Sequence, residues 1–79
     1  MTIAQALSAR LTEIMQEKHI TAYRLSLLSG VNQTTIGDIK KMRNVSVNLR
    51  IIVELCQGLE IELAEFFNSP YFKNENLTD

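Results

Sequence analysis

The amino-acid sequence predicts an all-α fold made of five short helices. Apolar residues recur at helical spacing in five separate stretches, and a residue that commonly caps helices precedes most of them. No stretch alternates apolar and polar residues as a half-buried strand would. With 79 residues, the chain is expected to form one small domain with a modest core.

Threonine caps are expected to start the first two helices. The helix after Thr2 runs to Lys18, and the one after Thr21 ends at Gly30, because the left-handed conformation that follows a helix costs least for glycine. The first helix is predicted to bury Ile3, Leu7, Leu11, Ile14 and Met15. The second is predicted to turn Ala22, Leu25 and Leu28 inward.

Residues 30–41, GVNQTTIGDIKK, predict a third helix with an unusual outer face. Asn32 is its expected N-cap, Val31 and Ile36 are placed to form a hydrophobic staple, and Ile36 and Ile39 share the inner side. Threonine is a mediocre helix former, and an interior glycine costs about 1 kcal/mol relative to alanine. The helix nevertheless places Gln33, Thr34, Gly37, Asp38 and Lys41 on its outer side or at its edges.

The rest of the chain predicts a loop, two more helices and a tail. Residues 42–48 form the loop, Asn48 caps a fourth helix that ends near Gly58, and Phe66 and Phe67 belong to a short fifth helix. The apolar face of the fourth helix is broad enough to serve as core or to touch a second subunit; it comprises Leu49, Ile51, Ile52, Val53, Leu55, Cys56 and Leu59. The expected domain covers residues 1–67, and residues 68–79 are expected to be mostly loose or to dock on a partner subunit, with the aromatic pair Tyr71 and Phe72 as the candidate docking residues.

Charge is distributed unevenly along the chain. The net charge of −1 argues weakly against a nucleic-acid partner. However, residues 32–53 carry +3, from Lys40, Lys41, Arg43 and Arg50 against Asp38, whereas residues 54–79 carry −5. Local charge decides where a polyanion docks, so the middle of the chain is the candidate surface.

Several classes of protein are disfavoured by the sequence. The single Cys56 cannot form an internal disulfide and is most simply a small core residue, and the lone His19 is most simply a loop residue. No cofactor, metal cluster, membrane span or catalytic motif is indicated, so an enzyme is not expected. The N-terminus does not look like a signal peptide, and we expect a cytoplasmic protein without a small-molecule substrate.

Two short helices joined by a tight turn that contains glycine form the layout of a helix-turn-helix. In that layout the second helix enters the major groove of DNA, where its outer side chains meet base edges. Gln33 is suited to adenine and Thr34 to a thymine methyl group, whereas Asp38 could accept from cytosine or repel a phosphate. Gly37 would allow the backbone to approach DNA closely. The cluster Lys40, Lys41 and Arg43 follows where phosphates are expected.

The run ITAYRLSLLSGVNQTTIGDI resembles the core of the phage repressor/Cro-like helix-turn-helix family, also called the XRE family. The shared pattern comprises Thr21, Leu25, Ser26, Gly30, Val31, Asn32, Ile36 and Ile39, and the stretch NLRIIVELCQGLEIELAEFF is similar to the closing helices of that family. The resemblance covers about residues 5–67. It implies a compact five-helix bundle of the lambda-repressor type, in which the third helix is the recognition helix.

The resemblance also implies roles for individual residues. Base contacts would come from Gln33, Thr34 and Asp38. The expected backbone contacts are Thr21, Tyr23, Arg24, Asn32, Thr35, Lys40, Lys41 and Arg43. The chain departs from the family pattern at Ala22, where a DNA-contacting glutamine is common, and at Met42 and Glu60, where glycine is usual.

The resulting hypothesis is a sequence-specific regulator of transcription that binds double-stranded DNA as a homodimer. Dimers in this class read half-sites one helical turn apart, and one domain of this size offers few contacts. The alternative is a protein-interaction or antitoxin-like module on the same fold, which the −5 charge of residues 54–79 suggests.

Overall fold

The computed structural model describes residues 1–43 and 47–79 and contains five α-helices over those ranges. They are α1 (Ile3–Glu17), α2 (Ala22–Ser29), α3 (Gln33–Lys41), α4 (Leu49–Leu59) and α5 (Leu63–Phe67), followed by 3₁₀ turns at Pro70–Phe72 and Asn74–Asn76. This confirms the all-α, five-helix prediction. The predicted loop at residues 42–48 lies partly outside the described residues. None of the described helices is both long enough and apolar enough to cross a membrane.

Side-chain caps start the first four helices as predicted. The hydroxyl of Thr2 accepts a hydrogen bond from the backbone of Gln5, whose side chain accepts from Thr2 in return, and Thr21 accepts from Arg24 N–H. The amide oxygens of Asn32 and Asn48 play the same role for α3 and α4. Each cap satisfies a backbone N–H that lacks a partner within its helix, so it fixes where the helix begins. The fifth helix follows Glu62, whose side chain makes no capping hydrogen bond.

Four helices end in a residue with left-handed backbone. Gly30 ends α2 with φ 77°, as predicted, but His19, Met42 and Glu60 adopt φ values of 53°, 57° and 58° without being glycine. Each of these three is followed by a residue whose N–H bonds back to a carbonyl five positions earlier, as in Ile61 to Cys56. The left-handed turn is therefore kept at Met42 and Glu60 although the usual glycine is missing.

The core lies where α1 packs on α3 and α2 packs on α4. Its buried side chains include Leu7, Leu11, Ile14, Met15, Leu25, Val31, Ile36, Ile39, Ile52, Leu55, Cys56, Leu59 and Phe66. Two assignments to the core were wrong. Leu28 is 47% exposed and lines a surface groove together with Gly58 and Leu59, and Ile3 is exposed in the first turn of α1. Leu49, left open between core and interface, is 59% exposed.

Residues 68–79 pack against their own chain, which differs from the expectation of a mostly loose tail. The ring of Phe72 lies 4.9 Å from that of Phe67 and 6.1 Å from that of Phe66, centroid to centroid. The hydroxyl of Tyr71 donates to Glu13 Oε2 at 3.3 Å. Tyr71 and Phe72, the two residues expected to dock, thus anchor the segment on α1 and α5. The polar composition of the tail gave no sign that Phe72 packs against the rings of Phe66 and Phe67.

Candidate nucleic-acid interface

The helix pair α2–α3 presents the outer side of α3 to solvent because its inner side is held in the core. Ile36 and Ile39 are buried, and Val31 is buried beside the cap, as the staple requires. Gln33, Thr34 and Lys41 are exposed. The periodicity therefore placed the outer face of α3 correctly.

An open groove runs along this outer face and reaches the start of α2. It has a volume of about 530 Å³ and is lined by Ala22, Gln33, Thr34, Gly37, Lys40, Lys41 and Arg43. Five of the predicted site residues, Gln33, Thr34, Lys40, Lys41 and Arg43, are thereby brought together. Three of the lining side chains are cationic and two are neutral hydrogen-bonding groups, which is the combination that contacts to phosphates and base edges require.

Gly37 is one of the residues that line this groove. Among the described residues, no heavy atom beyond its own helix backbone and chain neighbours lies within 4 Å of the position that a Cβ would occupy. Its backbone φ is not in the left-handed region that favours glycine. Neither crowding nor backbone conformation in the described structure therefore requires glycine here. Gly58 differs sharply, because a Cβ there would lie 2.7 Å from that of Ser29.

At the C-terminal end of α3 the backbone folds back, so that residues 42 and 43 make hydrogen bonds to carbonyls of the last turn of the helix. Because Met42 is left-handed, Arg43 N–H donates to the carbonyl of Asp38 at 2.9 Å, and Met42 N–H donates to that of Ile39 at 3.3 Å. This pair of bonds is the Schellman motif. The Arg43 side chain lies over the helix as well, with Nη1 3.8 Å from Asp38 Oδ1. Asp38, predicted to contact bases, thus faces a cation of its own chain.

The remaining predicted backbone contacts are dispersed around the groove. Asn32 is occupied as the cap of α3, Thr35 is half-buried, and Thr21 lines an adjoining cleft together with Lys40. Tyr23 is exposed on α2. Arg24 lines a separate groove, whose other members include Lys18, Leu28 and Glu60.

Cys56 and His19 occupy structural positions. Burial raises the pKa of the Cys56 thiol above its ordinary value of 9.0, and the nearby charge of Glu65 raises it further. A buried neutral thiol fits the prediction of a small core residue. His19 is the left-handed residue that ends α1, which agrees with its expected place in a connection.

One residue that supports the site was not predicted. Ser8 is buried, and its hydroxyl donates to the carbonyl of Lys40 at 2.6 Å, which ties α1 to the last turn of α3. The burial of Ser8 could have been predicted from the sequence, since it lies three residues before Leu11 and seven before Met15 on the inner side of α1. Its hydrogen-bond partner could not have been predicted, because the partner depends on how α1 and α3 pack.

Comparison with known proteins supports the same interpretation of this helix pair. The comparisons with curated proteins and with solved structures found no match. A family model does match: the Cro/C1-type HTH DNA-binding domain, over residues 10–70. That range contains α2, α3, α4 and α5 and confirms the predicted resemblance. The chain belongs to the family of Cro/C1-type helix-turn-helix DNA-binding domains.

Proposed function

We propose that this protein is a sequence-specific regulator of transcription that inserts α3 into the major groove of double-stranded DNA. One observation carries the proposal: the outer face of α3 lines a groove in which Gln33 and Thr34 lie beside three cationic side chains and Gly37 adds no bulk. The major groove is about 12 Å wide and admits one helix, so close approach of the helix backbone is an advantage there.

The side chains divide into two sets by chemistry. Gln33 and Thr34 carry neutral donors and acceptors suited to base edges, and Asp38 is a third candidate for such a contact. Lys40, Lys41 and Arg43 are suited to phosphates. Thr21, Tyr23, Arg24, Asn32 and Thr35 are further candidates for backbone contacts. The start of α2 supports this role, since free N–H groups and the helix dipole at a helix N-terminus favour a phosphate.

A salt titration of binding to a random-sequence duplex tests the DNA-binding part of the proposal. The logarithm of the binding constant is expected to fall linearly with the logarithm of salt concentration, by about 0.9 for each contacted phosphate. Selection from a randomised duplex library then gives the preferred sequence. Binding that is insensitive to salt, or a selection that converges on no sequence, would contradict a sequence-specific DNA-binding role and favour the protein-interaction alternative.

Two substitutions test the division of roles. Gln33→Ala is expected to change which sequences are selected, whereas Lys41→Ala is expected to weaken binding to every duplex alike and to lower the salt slope by about one. Lys73→Ala is the matched control, because Lys73 is an exposed lysine in the tail. Equal losses on all sequences for the Gln33 and Lys41 variants would show that the assignment is wrong.

We infer in addition that the protein acts as a homodimer, because one domain of this size contacts few base pairs. Half-sites about 34–36 Å apart are read by two-fold symmetric dimers in proteins of this kind. Leu49 supports α4 as the contact, since it is 59% exposed and lies one helical turn before the half-buried Val53. Tyr71 and Phe72 are less suited, because they already contact α1 and α5 of their own chain.

Light scattering with and without the selected duplex measures the assembly. A dimer is expected on DNA, and Leu49→Glu is expected to reduce it to a monomer. Leu27→Glu is the control, because Leu27 on α2 is equally exposed at 58%. A strict monomer in both states, or equal loss with both variants, would contradict a dimer built on α4.

A further inference from the structure

Asp38 is the one acidic residue between Asn32 and Val53, a stretch that otherwise carries four cations. On α3 it lies four residues after Thr34 and three before Lys41, so it is next to both on the helix surface. Both of those residues line the groove. A carboxylate at this place opposes the approach of a polyanion, which is the opposite of what a surface selected for tight phosphate binding would contain.

The fold couples this carboxylate to one particular cation. The left-handed turn at Met42 directs Arg43 back along α3, where its N–H bonds to the carbonyl of Asp38 at 2.9 Å. The two side chains then face each other with 3.8 Å between Nη1 and Oδ1. The proximity of Asp38 and Arg43 thus follows from the helix ending and not from side-chain contact alone.

The ion pair between Asp38 and Arg43 is loose enough for another anion to replace Asp38 as the partner of Arg43. A separation of 3.8 Å is too long for a hydrogen bond, and the Arg43 side chain is 61% exposed, compared with 28% for Asp38. Surface ion pairs of this kind contribute little to stability, because water and salt screen both charges. A DNA phosphate that reaches the groove could therefore take Arg43 from Asp38.

We propose that Asp38 determines specificity by weakening the binding of this surface to DNA that lacks the preferred bases. In the free protein it partly neutralises Arg43, and a phosphate has to compete for that guanidinium. On DNA of random sequence the pair stays closed and the surface makes one phosphate contact fewer. On a preferred sequence the base contacts hold α3 close enough to DNA for a phosphate to take Arg43 from Asp38. This inference rests on the proposed DNA-binding function.

Asp38→Asn tests the inference because it removes the charge with almost no change of shape. Binding to a random-sequence duplex is measured by fluorescence anisotropy over a series of salt concentrations. The variant is expected to bind about three- to tenfold more tightly at low salt, with a salt slope steeper by about 0.9, equivalent to one more phosphate contact. The selected duplex is expected to gain less, so the ratio of specific to random affinity falls.

Two controls separate the ion pair from a general gain of charge. In an Arg43→Ala background, Asp38→Asn is expected to leave the salt slope unchanged. Glu75→Gln, which removes a carboxylate from the exposed tail, is expected to leave the slope at the parental value. Thermal melts followed by circular dichroism test whether each variant is folded. If Asp38→Asn does not fold, Asp38→Ser is used in its place.

The outcomes distinguish the two proposals. If the parent protein binds duplex DNA with the expected salt slope but Asp38→Asn does not steepen it, the role of Asp38 is overturned and the DNA-binding function stands. A steeper slope that persists without Arg43 also overturns it. If the parent itself shows no salt-dependent binding, the proposed function is wrong and the role of Asp38 falls with it.

Discussion

The hydroxyl of Ser8 donates to the carbonyl of Lys40 at 2.6 Å, and this hydrogen bond joins the first helix to the end of the candidate recognition helix. The carbonyl belongs to the last turn of α3, where carbonyls lack partners within the helix. Within the part of the chain that the structure describes, Ser8 is the one buried polar residue. The contact therefore both satisfies a helix end and fixes the position of the cationic end of the groove.

Ser8→Ala is expected to lower the free energy of unfolding by about 1–2 kcal/mol, because it leaves a part-buried acceptor without its donor. Urea denaturation measures the change. Ser26→Ala is the matched control: its hydroxyl also donates over 2.6 Å, but to a carbonyl of its own helix at an exposed site. The control is expected to change stability by less than about 0.5 kcal/mol. Equal effects of the two variants would contradict a special role for Ser8.

Gly37→Ala is expected to stabilise the free protein and to weaken DNA binding. Alanine is favoured over glycine by about 1 kcal/mol in a helix interior, and the Cβ would meet open space in the described structure. On DNA the same methyl group would occupy the space between helix and groove. Thermal melts and anisotropy titrations of one preparation measure both quantities.

Gly58→Ala provides the contrast, because its Cβ would lie 2.7 Å from that of Ser29 and at 2.9 Å from backbone atoms of the same residue. This variant is expected to destabilise the fold by about 1–3 kcal/mol through overpacking between α2 and α4. Unchanged DNA affinity in a more stable Gly37→Ala protein would show that Gly37 does not approach DNA.

Met42→Gly is expected to raise the free energy of unfolding by about 1 kcal/mol. A side chain with left-handed backbone crowds the following carbonyl, and glycine relieves that strain. Met42 is exposed, so little packing is lost. Gln57→Gly, at an exposed position inside α4, is the control and is expected to destabilise by about 1 kcal/mol. A loss of stability in Met42→Gly would mean that the methionine side chain contributes more than its backbone costs.

Phe72→Ala tests the docking of the tail on its own chain. The substitution removes one of three mutually packed rings, and because Phe72 is only partly buried, the expected loss is about 2 kcal/mol, less than for a fully buried phenylalanine. The neighbouring Lys73→Ala is expected to stay within about 0.5 kcal/mol. The loss is expected to be independent of protein concentration, because Phe72 packs on its own chain. A loss that varies with protein concentration would place Phe72 against a second subunit instead.

Local patterns predicted most of the helix framework. The caps at Thr2, Thr21, Asn32 and Asn48 could be predicted because a capping hydrogen bond involves residues only two or three positions apart. The inner side of α3 followed from the spacing of Ile36 and Ile39. The helix-turn-helix assignment rested on the same local pattern.

Features that depend on how distant segments pack could not be predicted in the same way. The exposure of Leu28 depends on where α4 ends, and the hydrogen bond of Ser8 depends on how α1 lies against α3. The pairing of Asp38 with Arg43 required knowledge that Met42 adopts the left-handed turn in place of glycine. The resemblance to the helix-turn-helix family implied a base contact for Asp38 and gave no sign of this neighbour.

The central claim is that the outer face of α3 lies against DNA, and an NMR titration tests it most directly. Backbone amide shifts of the ¹⁵N-labelled protein are followed as the selected duplex is added. The largest changes are expected in residues 32–43 and in the first turn of α2, around the groove that contains Gln33 and Gly37. Changes concentrated around Arg10 and Tyr71, where α1 meets the tail, with α3 unaffected, would contradict the claim.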